Sequence, residues 1–151
     1  MKLAVIGAGS TYSPELIDGI LGRLESFPVT EIAFMDIDEQ RLNLVTEFSR
    51  RMVAASGQHL KIESSTSLQE SLEGAHFVVT QIRVGGQEGR HWDTELGKRH
   101  GIIGQETTGV GGFSKAMRTI PKIMEICREI ERTAPNAWLI NFTNPSGIIT
   151  E

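Results

Sequence analysis

The chain has 151 residues, 39% hydrophobic and 23% charged, with a formal net charge of −4 and a single cysteine. That length suits one α/β domain with a buried core, and the acidic balance argues against a general nucleic-acid surface. One cysteine excludes an internal disulfide, no apolar run reaches membrane-spanning length, and the N-terminus carries no secretory leader pattern, so a cytoplasmic location is expected.

Residues 2–6 (KLAVI) form a short apolar run and predict the first strand. Gly7-Ala8-Gly9-Ser10-Thr11 follows at once, and helical spacing begins at Pro14, where a missing N–H is harmless. A helix is expected over 14–24 and a second strand over 31–35, with Asp36 at its tip. A strand, a glycine turn, a helix, and a strand ending on an acid is the order that builds a dinucleotide site. Gly7 allows the tight turn, and Gly9, having no Cβ, lets backbone approach a pyrophosphate. The helix aims free N–H groups and its positive dipole end at that phosphate. Asp36 can accept hydrogen bonds from an adenosine ribose and would repel a 2′-phosphate, which favours NAD over NADP. The G-x-G-x-x-G pattern is incomplete, because Tyr12 stands where the third glycine belongs. A plain glycine turn in another α/β protein is the competing reading.

Asp38 is expected to cap a helix over 38–55, with Leu42, Val45, Phe48, Met52 and Val53 facing the sheet at helical spacing. Strands are expected near 60–63, 76–81 and 137–141, and helices near 67–72 and over 114–133. Strands alternating with helices imply a Rossmann-type, doubly wound parallel sheet with helices on both faces, spanning 1–151 as one nucleotide-binding domain. Residues 146–151 read like the opening of a further helix, so the chain is expected to be the N-terminal part of a longer protein. Between Arg83 and Phe113 the regularity fails. That segment holds nine glycines, many charges and one possible short helix at 91–100. It leaves the carboxyl end of the fourth strand, where open α/β sheets place ligands, and is read as a binding loop in preference to a disordered one.

Arg83 and Arg90 open this loop, and each can clamp a phosphate or carboxylate with a planar fork of donors. A solvated arginine is the alternative for either. Glu106, among small residues in GQETTG, can orient a base or hold a hydroxyl, or can be a solvent-facing loop acid. After the fifth strand comes Asn141-Phe142-Thr143-Asn144-Pro145-Ser146. Pro145 disfavours a helical Asn144, whose amide offers both donors and an acceptor to a sugar or hydroxy acid. A helix cap by Asn144 or Ser146 is compatible with that role. Cys127, among Ile120, Ile123, Met124 and Ile130, reads as a core residue. The four histidines show no metal-ligand spacing.

An Asn-Pro turn after the fifth strand of a dinucleotide fold first suggests an NAD-dependent 2-hydroxy-acid dehydrogenase of the lactate or malate type. Yet VIGAGSTYSPEL, MDIDEQR, IRVGGQEGR, IIGQETTGVGG and NFTNPSG, in this order along the whole chain, resemble glycoside hydrolase family 4. The ETTGVGGFS form resembles its 6-phospho-β-glucosidase branch. The resemblance implies hydrolysis of 6-phospho-β-glucosides with NAD⁺ and a divalent metal, usually Mn²⁺, an exception to two-carboxylate glycosidases. The implied route is oxidation at C3, deprotonation at C2, elimination of the aglycone, water addition and re-reduction.

By motif, the resemblance makes Arg90 and Asn144 substrate-binding, and Glu106 a site that tunes the basicity of a catalytic tyrosine lying beyond residue 151. The expected cofactor-binding residues are Gly7, Gly9, Ser10, Thr11, Asp36, Gln81 and Ile82. No metal ligand is expected within the chain, because Cys127 lies outside the family's cysteine motif. The metal ligands, catalytic tyrosine and acid are expected after Glu151, so these residues alone should bind NAD without turning over substrate. The expected partners are a phosphorylated disaccharide or β-glucoside and further copies of the protein, with no nucleic acid and no membrane. A non-catalytic NAD-binding module remains a third reading.

Overall fold

A computed structural model describes residues 1–151. The elements are β1 (Lys2–Ile6), α1 (Ser13–Leu21), β2 (Glu31–Met35), α2 (Glu39–Ser56), β3 (Lys61–Ser65), α3 (Leu68–Leu72), β4 (Phe77–Thr80), α4 (Gly86–Arg99), α5 (Gly109–Thr133), β5 (Trp138–Asn141) and α6 (Ser146–Thr150). The chain divides into two compact units, Met1–Gln81 with Glu129–Ile140, and Ile82–Arg128 with Asn141–Glu151. No helix is long and apolar enough to cross a membrane.

The first unit is built on a five-stranded parallel sheet in the order β3-β2-β1-β4-β5, with helices on both sides, a Rossmann-like arrangement. β1 is central because its run is apolar at every position from Leu3 to Ile6, so both of its faces can be buried. Val5 stands level with Phe34 of β2 and Val79 of β4. On one face Leu3, Val5, Ile32 and Phe34 pack with Ile17 of α1 and Leu42 of α2. α3 lies against β1, β2 and β3. The strands at 2–6 and 31–35 match the sequence reading to the residue, and the others lie within two residues of it.

Three expectations need correction. The first helix ends at Leu21, not 24, and the chain turns through Gly22, whose N–H still bonds Asp18 O. Phe48 does not face the sheet. It is 45% exposed, with the Arg51 guanidinium 5.6 Å above its ring. The buried positions in that stretch of α2 are Thr46 and Ser49. At about 100° per residue, Leu42, Val45, Thr46, Ser49 and Val53 share one face of α2 and Phe48 lies to the side of it. Asp38 does cap α2, accepting from Arg41 N–H at 3.0 Å.

The third correction concerns the second unit, where the expected irregular loop is mostly helix. α4 covers 14 residues from Gly86, and α5 begins at Gly109, five residues before the expected start. Glycine is a poor helix former, which hid both helices, but here it serves close approach. A Cβ at Gly97 would stand 2.9 Å from Gly104 Cα. Thus α4 can lie against residues 103–104 backbone to backbone.

Candidate functional site

In the first unit, β1 runs into the glycine turn. Gly7 takes φ 91°, a left-handed conformation that excludes most side chains. The N–H groups of Gly7 and Ala8 both donate to Met35 O, at 2.8 and 2.9 Å, and tie the turn to the end of β2. The next residue of β2's exit, Asp36, is half-buried and held at both oxygens. Gly9 N–H donates to Oδ2 at 2.8 Å, and Asp38 N–H donates to Oδ1 at 3.0 Å. A Cβ at position 9 would lie 2.8 Å from Asp36 Oδ2 and 3.2 Å from Arg41 Cβ. Glycine is therefore required at 9 by the protein's own carboxylate, a reason the sequence reading missed.

Gln81, just past β4, reaches the same turn. Its Nε2 donates to Ser13 Oγ at 2.8 Å and Gly7 O at 3.3 Å, while Ser13 Oγ donates to Ala8 O at 2.7 Å. Ser13 is fully buried and was not singled out from the sequence, although a hydroxyl directly before Pro14 was visible there. Ser10 Oγ accepts from Tyr12 N–H, and Thr11 is exposed. The structure thus gathers Gly7, Gly9, Ser10, Asp36 and Gln81 about one turn at the N-terminus of α1.

In the second unit the centre is Glu106. Lys115 Nζ donates to its Oε1 at 2.5 Å, Arg90 Nε pairs with Oε2 at 2.9 Å, and Arg83 Nη1 also bonds Oε1. Burial alone would push this carboxyl up. The Lys115 and Arg83 hydrogen bonds and charges overcome that, and the group lies below the usual glutamate value. Glu106 is therefore no solvent-facing loop acid. Three cations face one carboxylate, so the cluster carries excess positive charge. Its cations differ in exposure: the Lys115 side chain is 4% exposed and that of Arg90 53%.

A second ion pair braces the same unit. Arg118 grips Asp93 with two bonds, Nη2 to Oδ2 at 2.7 Å and Nη1 to Oδ1 at 3.1 Å, and its Nε donates to Val84 O at 3.0 Å. Ser114 Oγ adds a bond to Asp93 Oδ1 at 3.0 Å. The pair ties α4 to α5 and fixes the backbone next to Arg83. Lys115, Asp93 and Arg118 were absent from the sequence reading; the alternation of charge with apolar residues in SKAMRTI hinted at Lys115 and Arg118, and no local signal marked Asp93.

The segment after β5 is organised by Asn141, not by Asn144. Asn141 Oδ1 accepts from Thr143 N–H at 3.0 Å, and its Nδ2 donates to Thr150 Oγ1 at 3.1 Å and Thr143 O at 3.3 Å. The buried Thr143 hydroxyl accepts from Ile82 N–H at 3.1 Å, so Ile82 is anchored through its backbone. Asn144 is exposed and precedes a cis peptide to Pro145. Neither Asn144 nor Ser146 caps α6, whose N-cap is Pro145 without a side-chain bond. Asn144 shares no hydrogen bond with Arg83, Arg90, Glu106 or Lys115, whose side-chain bonds are to one another. Cys127, read as a core residue, is half-buried, next in α5 to the buried Ile126. No three His, Cys, Asp or Glu side chains gather as a metal site.

The chain is similar to known proteins over its whole length. The model of Family 4 glycosyl hydrolase matches residues 2–151. A probable 6-phospho-β-glucosidase of Bacillus subtilis (strain 168) is 44% identical over the whole of this chain, which spans 35% of that relative. The 6-phospho-β-glucosidase of Escherichia coli (strain K12) is 40% identical, again over the whole chain and 34% of its own length. A structure of the 6-phospho-β-glucosidase from Thermotoga maritima with manganese, NAD⁺ and glucose 6-phosphate superposes with a TM-score of 0.91 at 42% identity, covering 97% of this chain and 36% of that one. The chain thus spans about a third of the length of the relatives it matches, and it belongs to glycosyl hydrolase family 4.

Proposed function

We propose that this chain is the nucleotide-binding part of an NAD-dependent 6-phospho-β-glucosidase that works in the cytoplasm, where charged phosphosugars and NAD are retained. The observation that carries the reading is the Glu106 cluster, in which two exposed guanidinia and a buried ammonium exceed the one carboxylate they share. Excess, partly exposed positive charge with planar donor forks suits a phosphate ester. The relatives named for 6-phospho-β-glucosides support that ligand class, and no observation specifically favours a hydroxy acid.

A dinucleotide fits the residues of the first unit. The N–H groups of the turn at 7–10 are bonded within the protein, so the positive dipole end of α1 is what faces a pyrophosphate there, and the Asp36 carboxylate is pre-oriented by two backbone donors while keeping lone pairs for ribose hydroxyls. When bound, NAD⁺ supplies a hydride acceptor and later a donor, so that C3 of the sugar can be oxidised and restored with no net redox change. Asp36 orients the adenosine ribose. Arg90, with Arg83, holds the phosphosugar, and Asn144 offers its amide to a sugar hydroxyl. Glu106 fixes these cations and sets the local field where the C2 proton is removed. As that proton leaves, the C1–O bond breaks and the departing oxygen takes up a proton. Water then adds back at C1 and C2. A metal has no site among these residues, so its ligands would come from elsewhere in the protein.

The test is full-length protein with p-nitrophenyl 6-phospho-β-glucoside. Nitrophenol release that requires NAD⁺ and yields no net NADH supports the reading. Steady NADH formation from lactate or malate without glycoside cleavage overturns it.

Two variants probe the assignments. Asp36→Ala should weaken NAD by about 1–3 kcal/mol through the lost acceptor, and the native chain should bind NAD well above NADP in parallel titrations. Equal affinity for the two cofactors would remove Asp36 from the site. Arg90→Lys keeps the charge but loses the fork. It should lower kcat/KM roughly tenfold to a hundredfold, on the scale of a charge-assisted hydrogen bond, with NAD affinity unchanged. Native kinetics would make Arg90 a solvated charge.

A further inference from the structure

The three cations on Glu106 are not equivalent. Lys115 enters from α5, its side chain is almost wholly buried, and its Nζ lies 2.5 Å from Oε1. Arg83, from the segment after β4, and Arg90, from α4, approach from the exposed side, with side chains 38% and 53% accessible. These three are the charged groups that face Glu106. A buried ammonium has no aqueous alternative to its carboxylate partner, whereas an exposed guanidinium can exchange that partner for another anion at little loss.

We infer that Lys115 is a positioning residue, a buried anchor that holds the Glu106 carboxylate in place and leaves Arg83 and Arg90 exchangeable toward an anionic ligand. This rests on the proposed phosphosugar reading. Lys115 itself needs no contact with substrate. While an incoming phosphate draws the two guanidinia away, Lys115 alone keeps Glu106 fixed and negative. Without it, burial would favour the neutral acid, and Glu106 would lose both its charge and its place once the arginines leave.

The experiment reads Glu106 directly, by ¹³C NMR titration of its carboxyl in the 151-residue chain, and separately by the pH profile of kcat/KM in full-length protein. In Lys115→Met the Glu106 midpoint should rise by about one pH unit or more, as expected when a buried carboxyl loses its nearest cation. The acid limb of kcat/KM should move up with it, because a raised midpoint means protonation sets in at higher pH. In Arg83→Met/Arg90→Met the midpoint should rise by less than about one pH unit, since the Lys115 hydrogen bond, the largest of the influences that lower it, remains.

An unchanged midpoint in Lys115→Met, or a pH profile lowered evenly at all pH, overturns the inference and leaves Lys115 a packing residue. If Lys115→Met does not fold, the double arginine variant decides. A rise of about one pH unit or more there shows that the arginines, not Lys115, hold Glu106. The NMR arm does not depend on catalysis, so a protein that cleaves no phosphoglucoside defeats the functional reading without touching this result.

Discussion

Arg118→Met should destabilise the second unit by about 3 kcal/mol, toward the lower end of the cost of breaking a buried ion pair. The Asp93 side chain is 1% exposed, and without Arg118 only Ser114 would bond its carboxylate. Val84 O loses its donor at the same time. Solvent at the partly exposed guanidinium makes the native pair weaker than a fully dry one, hence the lower end. That is still a large share of the 5–15 kcal/mol that typically holds a domain folded. Asp93→Leu/Arg118→Met, which removes both charges, should recover at least half of the loss. Amide hydrogen exchange of α4 and α5 reads both effects locally. A loss below about 1 kcal/mol in the single variant, the range of an exposed pair, would show that the bridge does not brace the unit.

Glu106→Gln should be the most damaging change to turnover. The carboxamide keeps the shape but cannot neutralise Lys115, Arg83 and Arg90, so all three side chains lose their common anchor. Misplacing reacting groups by about 1 Å lowers rates on the order of a hundredfold, and a fall in kcat of at least that size is expected with NAD affinity unchanged. The surrounding cations temper the field of this carboxylate, so its influence on the basicity of a neighbouring tyrosine would act through position more than bare charge. A substrate deuterated at C2 reports which step has slowed. The isotope effect should grow in the variant. Native kcat with a native isotope effect would reduce Glu106 to a structural acid.

Much of the first unit was legible because its signals are local. β1 and β2 are apolar runs bounded by turn residues, Asp38 is a side-chain cap three residues from its donor, and the glycine turn lies between them. The second unit was opaque for two physical reasons. Its helices carry glycines that local propensity penalises and only tertiary packing explains, as at Gly97 against Gly104. Its ion pairs join residues far apart in sequence, Asp93 with Arg118 and Arg83 with Glu106. Arg90 and Glu106 were picked out by motif, and the structure does bring them together. Lys115 was passed over because a lone lysine in an amphipathic helix normally lies in solvent. Phe48 misled in the opposite sense, since it continues the apolar pattern of α2 while lying to the side of the buried face.

The account stands or falls on whether the full-length protein breaks the C2–H bond during glycoside cleavage. The direct measurement is turnover of a 6-phospho-β-glucoside in D₂O, followed by NMR of the glucose 6-phosphate released. The account predicts deuterium at C2 of the product and no reaction when NAD⁺ is withheld. Product that retains its original hydrogen at C2, or cleavage that proceeds without NAD⁺, would contradict it.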